Sequence, residues 1–69
     1  MIEAESNPGR FLRRAAVEER TGLPRSTLYQ YISEGRFPRP AARISTRVVV
    51  WSEAAVLQWM KEQIAQEAA

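Results

Sequence analysis

The chain contains no cysteine and no histidine, and all eight of its carboxylate side chains are glutamates. Disulfide frameworks and Cys/His zinc clusters are therefore excluded. Without aspartate as well, a Ser-His-Asp triad, an EF-hand loop and a Cys-His dyad are impossible within these residues. The glutamates are dispersed and form no paired arrangement on a common face, so neither a metal cage nor a nucleophile with its base is expected. The sequence thus reads as a protein that is not an enzyme and that takes no cofactor or metal. Long apolar runs are missing too. Val48–Trp51, four residues, is typical of the longest, too short to span a bilayer or to form the apolar part of a signal peptide. A cytoplasmic protein with no membrane partner is the expectation. Size is the last scarcity: 69 residues make one small domain. Below about 70–80 residues a single core supplies only roughly 3–5 kcal/mol of net stability. One compact core must suffice unless an oligomer or ligand adds to it.

Charge is scarce only in total. Ten basic against eight acidic residues give +2, but they are not mixed evenly. Residues 1–9 carry Glu3 and Glu5, and residues 48–69 carry Lys61 against Glu53, Glu62 and Glu67, so each end is −2. Between them, nine arginines face three glutamates, giving +6 over residues 10–47. Every cation of this centre is arginine, whose planar fork of donors suits phosphates and base edges, whereas lysine would serve equally for solubility. Glu18 and Glu34 are available to pair with Arg20, Arg36 or Arg39 on the surface.

The segment 1–9 is polar, ends in Asn7-Pro8-Gly9 and shows no sustained period, so it reads as a disordered N-terminal tail. The folded domain is expected over residues 10–66, with 67–69 a frayed C-terminus. Phe11 and Leu12 suit a short strand or an anchor to the core. Arg13–Thr21 favours helix, with Gly22 placed to cap it in a left-handed conformation. Proline fits the start of a helix, so a second helix is expected from Pro24 to about Glu34, closed by Gly35. Leu28, Tyr31 and Ile32 fall at i, i+3 and i+4 and define its inner side. Phe37-Pro38-Arg39-Pro40 cannot be helix interior and reads as a stiff connector anchored by Phe37. Arg43-Ile44 and Val48–Trp51 have strand chemistry, and Ser45-Thr46-Arg47 between them predicts a hairpin with a loose loop, since no Gly or Asn is present for a tight turn. Ser52 is a good N-cap for a last helix over about Glu53–Gln66, whose Val56, Met60 and Ile64 row, with Trp59 and Gln63 beside it, faces inward. Trp51 and Trp59 are on apolar positions and read as core, not as stacking platforms for single-stranded bases. Leu57 lies off the inward row, either partly covered by Trp59 and the connector or exposed for a homotypic contact.

Two short helices joined by a Gly-containing turn, the second with a polar outer face, form a helix-turn-helix arrangement. Such a second helix suits the major groove of duplex DNA, where its N-terminal residues reach base edges. Here those are Pro24, Arg25, Ser26 and Thr27, with Gln30 one turn on. Arg25 matches guanine, Gln30 matches adenine, and the hydroxyls serve bases or phosphates. Tyr29 is placed to donate to a phosphate. The hairpin would project as a wing carrying Arg43, Ser45, Thr46 and Arg47 toward the backbone or minor groove. Arg10, Arg13 and Arg14 stand where the first helix begins and suit phosphate contacts.

Leu23-Pro24-Arg25-Ser26-Thr27-Leu28-Tyr29, then Ile32, Gly35, Phe37-Pro38 and Pro40, then Arg47, Trp51, Val56 and Trp59, resemble the AlpA-type prophage regulators over roughly residues 11–64. These are small winged helix-turn-helix proteins related to excisionases and to the DNA-binding head of MerR regulators. The resemblance implies a mainly α MerR-like fold with a small β-hairpin, three helices plus a wing. It further implies double-stranded DNA as partner in the cytoplasm of bacteria, a role in transcription control or in directing recombination for a phage or mobile element, and a recombinase as a candidate partner. Many relatives carry a basic residue where Gln30 stands, glycines near Ser45-Thr46 and an acidic residue where Ala55 stands. One such domain covers few base pairs, so a homodimer or multimer on DNA is expected. The alternative is an adaptor or anti-repressor that uses the winged scaffold to hold another protein.

Overall fold

Leu12 belongs to a strand and is also a core anchor. In the computed structural model, which describes residues 10–68, β1 spans Phe11–Arg13 and is followed by α1 (Arg14–Thr21), α2 (Arg25–Ser33), β2 (Ala42–Arg43), β3 (Val49–Ser52) and α3 (Glu53–Ala68). The expected tail over residues 1–9 lies outside the described residues, as does Ala69. The architecture is mainly helical with a wing-like hairpin, as the sequence predicts. The hairpin has an added neighbour: the sheet order is β1-β3-β2, all antiparallel. Arg13 is therefore paired opposite Val50 in the sheet, and helix begins one residue later than its propensity suggested.

Glycine and proline set the helix ends. Gly22 sits at φ 77°, and its N–H donates to the Glu18 carbonyl at 2.8 Å, closing α1. Pro24 is not in α2 but just before it, extended at φ −69° and ψ 163°, and its carbonyl accepts the Leu28 N–H at 2.9 Å. At the other end the Arg36 N–H reaches the Tyr31 carbonyl at 2.8 Å and the Gly35 N–H the Ile32 carbonyl at 3.1 Å, with Gly35 at φ 75°. This pair of bonds is a Schellman closure, which needs a left-handed residue at the glycine. A Cβ at Gly35 would meet no atom within 4 Å, so the cost of adding one is purely conformational. Gly35→Ala should lower stability by about 1–2 kcal/mol in urea unfolding. An unchanged midpoint would show that the closure tolerates a side chain there.

The core draws on all three helices, β1, β3 and the connector: Leu12, Val17, Leu28, Phe37, Trp51 and Val56 cluster, with Tyr31, Ile32, Val49, Trp59 and Met60 packed around them. Val50, on the other face of β3, is buried between its cross-strand neighbours Arg13 and Ala42. Trp51 is buried in the core and Trp59 packs against its edge, and both pin the segment 36–38. The Trp51 indole N–H donates to the Pro38 carbonyl at 3.1 Å, and that of Trp59 to the Arg36 carbonyl at 2.7 Å, while the Trp59 ring meets Phe37 edge-on at 4.9 Å. No buried side-chain polar atom among the described residues lacks a partner.

The last helix packs its expected face only over its inner turns. Ser52 caps it as predicted, its Oγ accepting the Ala55 N–H at 3.3 Å. Val56 is buried and Met60 packs on the core, but Ile64 is 68% exposed. At 16 residues α3 is about 24 Å long. Its outer turns run beyond the body it packs on, and the helix continues through Ala68, past the expected end at Gln66. Leu57 keeps 40% of its surface exposed, so it is at most partly covered.

Candidate nucleic-acid interface

The start of α2 is electrostatically bare. No side chain caps it and its first turn holds no acidic residue. The N–H groups of Arg25, Ser26 and Thr27 have no acceptor within the helix and mark its positive end. Arg25 and Ser26 are exposed there and Thr27 is half-buried. Pro24 has no N–H to give and its carbonyl is taken by Leu28, so what it contributes is the shape of the entry.

Elsewhere three separate elements converge, α2 contributing Tyr29 from its middle turn. Arg13 and Arg14 from the β1–α1 junction, Tyr29 from α2 and Arg47 from the hairpin line one cleft of about 360 Å³, together with Ala15, Val48 and Val49. The β1–β3 register explains the meeting: Arg13 stands opposite Val50, close along β3 to the loop that carries Arg47. Tyr29 is 40% exposed, with its ring edge-on to buried Trp51 at 6.4 Å between centroids. One side of the ring is thus held by the core while part of it remains accessible. α1, like α2, begins without a side-chain cap or an acidic first turn, so its positive end also opens toward Arg13 and Arg14.

The arginines divide into engaged and unengaged groups. Arg14 Nε donates to Glu18 at 2.9 Å, Arg20 Nη1 to Glu53 at 2.7 Å and Arg36 Nη1 to Glu34 at 3.2 Å. Of the pairings anticipated for Glu18 and Glu34, Glu34 with Arg36 is present. Glu18 instead takes Arg14, one helical turn back, a phosphate candidate that is therefore partly compensated. Among the described residues, Arg10, Arg13, Arg25, Arg39, Arg43 and Arg47 make no ion pair.

The hairpin loop has the open form expected of it. Ile44 and Ser45 both donate to the Val48 carbonyl, at 2.7 and 3.2 Å, and the Val48 N–H returns to Ser45 at 3.3 Å, with no positive φ at these residues. The Ser45 Oγ accepts the Arg47 N–H at 3.3 Å, so that hydroxyl shapes the loop. Thr46 and Arg47 are exposed at its tip and Arg43 is exposed on β2, away from the cleft. Arg10 lies outside the cleft too, its carbonyl accepting the Glu53 N–H at 2.8 Å.

Sequence reasoning did not anticipate one contact on α2. Gln30, a base-reading candidate, donates from Nε2 to Glu34 Oε2 at 3.1 Å. Their i, i+4 spacing is the signal that could have found it. The same carboxyl is held below the usual carboxylate range, first by this amide and then by the Arg36 guanidinium.

Among the described residues no group of His, Cys, Asp and Glu could hold a metal ion, and no helix is long and apolar enough to cross a membrane. The family described as prophage CP4-57 regulatory protein (AlpA) matches residues 10–64. An uncharacterised protein, ORF88 of Enterobacteria phage P4, is 41% identical over 56 residues, covering 81% of this chain. The match takes in 62% of that relative's length. No solved structure matches the chain. The matched residues run from the arginine before β1 into the outer half of α3 and so include the cleft, the bare helix end and the hairpin; the chain belongs to the AlpA family of prophage regulatory proteins.

Proposed function

We propose that this protein binds duplex DNA sequence-specifically, with the N-terminal half of α2 in the major groove and the β2–β3 hairpin against the backbone. The observation that carries the reading is the cleft in which Arg13, Arg14, Tyr29 and Arg47 converge, lined from α2 by Tyr29, on a helix whose start is uncapped. In this reading Arg25, Ser26 and Gln30 meet base edges, while Thr27 and Tyr29 steady the approach. Arg13, Arg14 and Arg47 hold phosphates, with Arg10, Arg43, Ser45 and Thr46 flanking them. The role is regulatory, for a phage or mobile element: control of a promoter, or direction of site-specific recombination beside a recombinase. Exposed Leu57 and Ile64, seven residues apart on α3, support association of two or more copies on repeated half-sites.

If about four to six phosphates are neutralised per copy, the logarithm of affinity falls against the logarithm of salt with a slope of roughly −4 to −5. Titration of a labelled duplex at several salt concentrations measures it. Absence of binding to any duplex at low salt would leave the adaptor or anti-repressor role as the better account. Within the DNA reading, Arg25→Ala should cost about 1–3 kcal/mol and relax preference at one base pair. Arg47→Ala should weaken all sequences alike, and the distinction collapses if both substitutions alter specificity in the same way. Sedimentation with and without a selected duplex reports whether copies assemble on DNA.

A further inference from the structure

The Gln30 amide is held in one orientation. Its Nε2 donates to Glu34 Oε2 at 3.1 Å, while Glu34 Oε1 accepts from Arg36 Nη1 at 3.2 Å. Arg36 is itself fixed at both ends. Its guanidinium lies 4.2 Å from the Tyr31 ring centroid, its N–H closes α2 on the Tyr31 carbonyl, and its own carbonyl accepts the Trp59 indole at 2.7 Å. A continuous chain of contacts therefore runs from the core through Arg36 and Glu34 to a side chain on the outer face of α2.

We propose that Glu34 is a specificity-determining positioning residue that sets which face of the Gln30 amide is offered to a base; the inference rests on the DNA-binding reading above. A carboxylate only accepts hydrogen bonds, so the flipped amide, with Oε1 against Glu34, is repelled. With one amide hydrogen given to Glu34, Gln30 retains Oε1 as an acceptor and one N–H as a donor. Adenine presents the complement in the major groove, an N6 amine beside the N7 acceptor. Guanine presents two acceptors, O6 and N7, and Oε1 would face one of them. Glu34 thereby favours adenine over guanine at the position Gln30 reaches, although an acid near DNA costs affinity through phosphate repulsion. Arg36 offsets that charge. With its affinity for protons reduced by both partners, the carboxylate stays ionised at neutral pH, as this arrangement requires.

The test uses the full chain and a duplex selected from random sequence, with each base pair of the selected site then substituted in turn. Binding of wild type, Gln30→Ala, Glu34→Ala, Glu34→Gln and the Gln30→Ala/Glu34→Ala pair is compared. Glu34→Ala should reduce the adenine-over-guanine preference by about tenfold at the same base pair that Gln30→Ala affects. Its affinity for non-specific duplex should stay level or rise, because a negative charge is removed. Glu34→Gln keeps the shape but can donate as well as accept, so it should relax the preference as well. In base preference the double variant should match Gln30→Ala. An unchanged preference in Glu34→Ala, a change at another base pair, or additive effects in the double variant would overturn the proposal while leaving DNA binding intact. If the wild type binds no duplex at all, the DNA-binding reading fails and this one with it.

Discussion

Trp51→Ala is expected to leave the chain largely unfolded at room temperature. Trp51 is the largest fully buried side chain, on the central strand of the sheet and opposite Leu12. Its indole N–H ties Pro38 to β3, and its ring supports Tyr29 from below. Truncating a buried aromatic costs about 3–5 kcal/mol. A single core of this size supplies roughly the same amount in total. The substitution therefore removes most or all of the margin, and far-UV circular dichroism should show weak helical signal without a cooperative melt. Trp51→Phe keeps much of the volume and loses the bond to Pro38, for about 1–3 kcal/mol if that carbonyl is left buried without a partner. A cooperative transition for Trp51→Ala close to that of the wild type would contradict this view of the core.

The second large effect concerns binding. Removing Arg13, Arg14 and Arg47 together should weaken non-specific duplex binding by about 10²–10³ near 0.1 M salt and make the salt slope shallower by roughly 2–3. The lower end of that range allows for Arg14, already paired with Glu18. All three side chains belong to exposed or half-exposed residues outside the hydrophobic cluster, so the fold should persist and unfolding curves should stay near those of the wild type. The control is the pair Arg20 and Arg36, two charges against three, which are bound to Glu53 and Glu34 and lie outside the cleft. Equal losses per charge removed from the two sets would mean that net charge, and not the convergence of these residues, governs binding.

What could be read from the sequence was local. Gly22, Pro24 and Gly35 marked the helix ends because each acts through its own backbone geometry, and the hairpin was visible because Val48–Trp51 has few other conformations open to it. The sheet's third strand was less legible. Phe11–Arg13 is three residues long, and its pairing with β3 depends on a neighbour distant in sequence. That pairing also joins Arg13 to Arg47 in one cleft, so the basic character of the centre was legible while its convergence was not. The Val56, Met60 and Ile64 row shows the limit from the other side. Periodicity identifies the apolar side of a helix but not where the surface it packs on ends, and Ile64 falls beyond that end.

The two indoles, each bonded to a backbone carbonyl between α2 and β2, give the molecule its own optical reporters. Trp51 is sealed from water, so its emission should lie well to the blue and shift red only when β3 parts from the connector. Trp59 is half-exposed, beside the open groove formed by Leu23, Tyr31, Arg36, Met60 and Ile64, and should be reachable by small collisional quenchers in the native state. Tyr29, in the cleft with Arg47 and against Trp51, is close enough to pass excitation energy to it. An unlabelled chain can therefore report, in one cuvette, whether the body is folded, whether the groove under α3 has been covered, and whether the cleft beside the hairpin has been filled.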